Sequence, residues 1–271
     1  MSTTSLWRPA VITASAVVMG IGTLAGFGLL GTRVEDSSGG AFSADATLLT
    51  PAGPAFSIWS LIYVGLIAFV IWQWFHPGSE RATRITWLTA ASMILNAIWL
   101  GVTQVGWLWP SVVVILTLAV VLGLLLRCLG ESRPTSTLEA VVVDGTFGVY
   151  LGWVAVASVA NVTAVLVASG VDPGEGVATV LAVVVLAVAV ALGAVFALAL
   201  AARWTVAAAM AWALAWIAVG RLTSGPASVT VAVAAVVSAL AILAVTAYAR
   251  HRHAGGTTRV PANAPDGRVH A

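Results

Sequence analysis

Charge is scarce in this chain. Only 8% of its 271 residues are Asp, Glu, Lys or Arg, whereas a soluble chain carries about a quarter. Lysine is absent, so all twelve basic side chains other than histidine are arginines. A net charge of +2 is too small to leave the basic footprint that nucleic acid requires. Cys128 stands alone, which excludes an intrachain disulfide and any cysteine-clustered metal site. No nucleophile–base set, phosphate loop or metal cluster is visible, and no stretch could fold by itself as a soluble domain.

What is abundant is apolar surface. Hydrophobic residues make up 60% of the chain, and the mean hydropathy is +1.03. The apolar runs are about 20 residues long, which suits bilayer-spanning helices and not the alternating strands of a barrel. Eight spans are expected, roughly at 10–30, 55–75, 85–105, 111–126, 138–168, 177–202, 204–220 and 227–249. In the first, Gly22 and Gly26 have the spacing that lets two helices approach closely. A cleaved signal peptide is the rival reading of that span, but its apolar run is longer than a usual signal core. Ser136 and Glu139 have capping-box spacing at the start of span five. The tail from Arg250 has no apolar period, and disorder is expected there.

Eight spans put both termini on one side. That side receives ten arginines, and the opposite side only Arg33 and Arg221. The positive-inside bias makes the termini cytoplasmic and turns the long loop 31–54 outward. A multi-pass protein of the plasma membrane is the expectation.

The outward loop runs into Thr50–Tyr63, TPAGPAFSIWSLIY. Pro51 and Pro54 keep this approach extended, and Trp59 and Tyr63, four apart, share a helix face. Span two descends from the outer face, so Phe56 and Trp59 lie near its mouth. Span three rises, placing Asn96 and Trp99 in its outer half on one face. Span five rises too, with Trp153 roughly 20 Å above Glu139 and Asn161 closer still to the outside. Aromatics and amides of three spans therefore meet between midplane and outer surface, under a loop that could act as a lid. Such a pocket suits a planar, largely apolar ligand. The competing reading is ordinary packing, because Trp and Tyr populate interfaces and intramembrane Asn bridges helices.

These same stretches resemble the TspO/translocator family, the tryptophan-rich sensory proteins related to the peripheral benzodiazepine receptor. TPAGPAFSIWSLIY is similar to the family's Pro-rich loop and second-helix start. LNAIW, Leu95–Trp99, resembles its third-helix pattern, and YLGWVAVASVAN, Tyr150–Asn161, its fifth. The resemblance covers about residues 10–168, a five-helix unit, and leaves spans six to eight outside it. It implies an all-α, polytopic membrane helix bundle in three parts: the five-helix TspO-like unit over 1–168, three extra transmembrane helices over 169–249, and a cytoplasmic tail over 250–271.

The resemblance also implies an integral membrane protein that binds or senses a tetrapyrrole, a porphyrin or heme-like molecule, with no required cofactor. Ligand-contact roles fall to Phe56, Trp59, Tyr63, Asn96, Trp99, Tyr150, Trp153 and Asn161. Porphyrin-degrading activity follows from resemblance alone, with no catalytic residue to name, so an enzyme is not the expectation. The alternative is a transporter for an apolar or amphipathic solute. Expected partners are the lipid bilayer and a small apolar planar ligand; a homodimer is left open and nucleic acid is not expected.

Asp144, near the cytoplasmic end of span five, is read as solvated or paired with Arg127 or Arg133 before it is read as a proton relay. His251 and His253 are read as incidental, with no metal site. Trp204, Trp212 and Trp216 are read as packing or facing lipid before they are read as extending the pocket.

Overall fold

Bilayer-length apolar runs leave the backbone one way of satisfying its own N–H and C=O groups, the helix. The computed structural model, which describes residues 6–26, 28–29 and 31–256, is all-α on this principle. Eight of its helices are long and apolar enough to cross a membrane. They are α1 (Trp7–Gly26), α2 (Ile58–Phe75), α3 (Glu80–Gln104) and α4 (Leu108–Gly130), then α5 (Thr137–Ala168), α6 (Glu175–Ala199), α7 (Trp204–Thr223) and α8 (Val229–Gly256). The outer faces carry apolar side chains such as Leu61, Val64, Val184 and Leu240, as a hydrocarbon solvent allows.

Serine side chains cap the starts of two of these helices. The Ser79 hydroxyl accepts from the Ala82 N–H at 3.2 Å and opens α3. The Ser136 hydroxyl accepts from the Glu139 N–H at 3.1 Å and opens α5. Only half of the expected reciprocal box forms there. The Glu139 carboxylate turns instead to the Thr135 N–H and hydroxyl, at 2.8 and 2.6 Å, and to Arg81 at 3.0 Å. One turn later, Ala140–Gly145 widens into a π-helical turn. α8 runs on through Gly256 instead of giving way at Arg250. Of the expected disordered tail, residues 257–271 lie outside the described residues.

Glycines decide how closely the helices pack. α1 lies on α3 at Gly22 and Gly26, where an added Cβ would sit 3.0 Å from the Ala97 Cα and 2.6 Å from the Leu100 side chain. This is the small-residue face expected from the spacing. A second close approach joins α5 to α7. A Cβ on Gly148 would lie 2.0 Å from the Thr205 hydroxyl, and one on Gly152 would lie 2.3 Å from the Val206 carbonyl oxygen. Residues from both sides of position 168 consequently share one core, Trp153 and Phe147 with Val206, Met210 and Leu214.

The end of the bundle that holds the start of α3 carries a buried ionic cluster. Asp144, in the π turn, accepts from Arg81 at 2.9 Å and from Arg203 at the start of α7. Asp144 is thus paired, but with Arg81 and Arg203; Arg127 and Arg133 are exposed. The sequence distances pointed to the wrong arginines because they ignored that α3 and α7 both begin against this turn. Two acids and two arginines balance in charge, which is what makes burying them tolerable.

Candidate functional site

At the opposite end, residues 31–57 form a strap across the bundle. It is built from short 3-10 turns at Val34–Asp36, Ser38–Gly40 and Gly53–Ser57. Pro54 sits in the first turn of the last of these, which feeds directly into α2. Val34, Phe42 and Leu49 point inward and are buried. The first half is held to the end of α3. Ser38 donates to the Thr103 carbonyl at 2.8 Å, and Thr32 and Gln104 exchange hydrogen bonds of 2.7 to 3.0 Å. The Ser43 hydroxyl donates to the exposed Asp45 carboxylate at 2.5 Å. That bond, helped by a backbone N–H and the Arg221 cation, holds the Asp45 carboxyl below its ordinary range.

Beneath the strap the aromatics converge. The Trp59 ring stacks on Tyr63 at 5.5 Å between centroids and on Trp99 at 6.2 Å. It meets Tyr150 and Trp153 edge to face at 5.9 and 6.2 Å. Phe56 packs edge-on against Trp153 at 5.8 Å, and Phe42 of the strap leans on Trp99 at 6.3 Å. Each such pair contributes about 0.5–1.5 kcal/mol beyond its buried area. Trp59, Trp99 and Trp153 are all at most 5% exposed, so the three tryptophans face one another and not lipid.

The two amides behave differently. Asn161 accepts from the Trp99 indole N–H at 3.2 Å and donates to the Ser111 hydroxyl at 3.0 Å, tying α3, α4 and α5 together. Asn96 accepts from the Tyr63 hydroxyl at 3.2 Å. The Trp153 indole nitrogen meets no hydrogen-bond acceptor among the described residues. A buried donor left in this way has bonding capacity to offer. Tyr150 donates to the Ser92 carbonyl at 3.3 Å.

Two cavities flank the cluster. The larger, about 260 Å³, lies between α1, the strap and α2 and is lined by Phe56, Trp59 and Tyr63, with Arg33 and Glu35 also in its wall. Those two charges pair loosely at 3.6 Å. The smaller, about 40 Å³, is lined by Phe42, Trp59, Trp99, Trp153 and Asn161, with Ala213 of α7 on its wall. Of the eight residues expected at the site, six line one cavity or the other. Asn96 and Tyr150 stand behind them, bonded to or packed against the lining rings.

Sequence reasoning missed Phe42, Glu35 and Ala213. Phe42, an aromatic alone in a polar loop, was a readable signal; an alanine in an Ala/Val-rich helix was not. Trp212 and Trp216 do more than face lipid: the Trp212 indole N–H donates to the Ala55 carbonyl and the Trp216 carbonyl accepts from the Ala52 N–H, both at 3.1 Å. Among the described residues, no three His, Cys, Asp or Glu side chains gather as a metal site.

The family model described as TSPO-like protein matches residues 9–248. The match runs beyond residue 168, through α6 and α7 and most of α8, further than the three motifs alone reach. Comparison with curated proteins and with solved structures gives no match.

Proposed function

Because this chain belongs to the TSPO-like protein family, we propose that it is a membrane receptor for a planar, largely apolar ligand of the tetrapyrrole kind. In this reading it lies in the plasma membrane with both termini in the cytoplasm and the strap outward. The observation that carries the reading is the gathering of Trp59, Tyr63, Trp99, Tyr150 and Trp153 beneath the strap and beside a cavity. Flat rings supply the contact, and the unpartnered indole N–H of Trp153 supplies a bond for an acceptor at a ligand's edge.

The size of the cavity shapes the mechanism. A volume of about 260 Å³ falls just short of the roughly 300–1,000 Å³ of ordinary small-molecule sites. Trp59 already stacks on two neighbours. A macrocycle therefore enters by lifting the strap and replacing one ring contact with its own, and does not drop onto a bare indole face. Net affinity is the difference between those contacts, so it responds to the size of the indole at position 59.

The test is a titration of purified protein with protoporphyrin IX, followed by tryptophan fluorescence, with Trp59→Phe and Trp153→Phe alongside. Each substitution should weaken binding about five- to thirty-fold, the equivalent of one to two aromatic contacts. Unchanged affinity in both removes the proposed site.

A further inference from the structure

α7 offers the strap a row of fastenings. Arg221 is 1% exposed; its two terminal guanidinium nitrogens are spent on backbone carbonyls, while its Nε meets no acceptor among the described residues. It donates to Ala44 and, at 3.4 Å, to Thr50, both in the strap, and at 2.9 Å to Pro226 beyond its own helix. The Trp212 indole N–H reaches the Ala55 carbonyl, and the Trp216 carbonyl receives the Ala52 N–H. At Gly220, an added Cβ would lie 3.3 Å from the Ala52 nitrogen. Positions 212, 216 and 220 recur every four residues and form one stripe along the helix, with Arg221 next to it at the end.

Burying an arginine in a bilayer protein is costly unless its donors are satisfied. Ending α7 does not require it, because the Ser224 N–H already returns to the Gly220 carbonyl at 2.9 Å. The two distant carbonyls that Arg221 holds belong to the segment that carries Thr50, Pro51 and Gly53, which wall the two cavities. α7 itself is fixed to the bundle along its length. Gly148 and Gly152 seat it on α5, and Arg203 pins its start to Asp144. The strap thus has two halves held by different helices, 32–38 on α3 and 44–55 on α7.

We infer that α7 is the fixed post to which the ligand site's cover is fastened, and that Arg221 is the positioning residue that keeps the second half of the strap closed. Under this inference, which rests on the ligand reading given above, opening means release of 44–55 from α7 while 32–38 stays on α3. The helices past residue 168 are then a working part of the site.

The experiment uses the full chain in lipid nanodiscs, with Arg221→Met, Arg221→Lys and Trp212→Phe. Hydrogen exchange is read separately for 32–38 and 44–55, and release of protoporphyrin IX is followed by recovery of tryptophan fluorescence. Arg221→Met should speed exchange in 44–55 and leave 32–38 unchanged. It should also accelerate porphyrin release on the order of tenfold, as expected for the loss of charge-assisted hydrogen bonds. Trp212→Phe, which keeps a ring and loses one N–H, should give about a threefold effect. Arg221→Lys should fall between wild type and Arg221→Met.

Exchange in 44–55 that stays at the wild-type level in both Arg221→Met and Trp212→Phe overturns the inference. So does exchange that rises equally in both segments, the mark of general loosening. Failure of the wild type itself to bind protoporphyrin IX counts against the ligand reading alone, because the exchange measurement needs no ligand.

Discussion

Replacing Gly152 with alanine adds one methyl group at the tightest seam between α5 and α7. The new Cβ would lie 2.3 Å from the Val206 carbonyl oxygen and 2.8 Å from the Ala209 Cβ. Ordinary carbon–oxygen approaches between helices are about 3.3–3.6 Å, so the helices must separate by about 1 Å. A backbone carbonyl cannot rotate aside as a side chain can, and overpacking of this type costs about 1–3 kcal/mol. Alanine also improves helix propensity, by up to about 1 kcal/mol. Gly123→Ala isolates that gain, because nothing lies within 4 Å of a Cβ there. Subtracting one variant from the other leaves the steric term, so Gly152→Ala should be less stable than Gly123→Ala by about 1–3 kcal/mol. Reversible unfolding in mixed micelles, read by tryptophan fluorescence, measures both. If Gly152→Ala matches or exceeds Gly123→Ala, the close seating of α7 on α5 is wrong.

Arg81→Met takes the ion-pair partner from the buried Glu139 and leaves Asp144 paired with Arg203 alone among the described residues; unfolding should show a loss of about 3–5 kcal/mol, and a loss below about 1 kcal/mol would refute the burial argument. Asn161→Leu strands the Trp99 indole N–H and takes the amide donor from the Ser111 hydroxyl, at a cost of about 1–3 kcal/mol in the same assay. The Asp45 carboxyl is held below its ordinary value of 3.8, first by Ser43. A carboxyl depressed on folding contributes stability that is complete above its unfolded value and lost as pH falls through its folded value. Fluorescence of the strap-side tryptophans should therefore be constant above about pH 5 and change below about pH 4, and Asp45→Asn should remove the change.

Much of the aromatic cluster could be read before the fold was known. Phe56, Trp59, Trp99, Trp153 and Asn161 sit at positions where span direction and helical spacing bring them together, and connectivity carries that information. Asn161 shows the limit of the method. An amide in a membrane helix must find partners, but sequence cannot say whether they are a ligand or Trp99 and Ser111. The spacing reads Arg221 as a marker of sidedness and Arg203 as that and the end of span six. Their partners, a carboxylate in a π turn and carbonyls some 171 to 177 residues away, follow from tertiary placement, which no local pattern encodes. The seating of α7 did leave a trace. Gly148 and Gly152 have the same four-residue spacing as Gly22 and Gly26, a signal present in the chain and passed over because the neighbouring Tyr150 and Trp153 drew the functional reading.

The fastening of the strap to α7 has a consequence for biosynthesis. Residues 44–50 leave the ribosome 171 to 177 residues ahead of Arg221. At ordinary elongation rates that is roughly 10–30 s, during which five helices can insert and assemble while the second half of their cover has no α7 to close against. A nascent chain in the translocon therefore passes through an interval with its aromatic chamber open. A chain cut short before α7 would stay in that state, exposed to any flat hydrophobic molecule in the membrane.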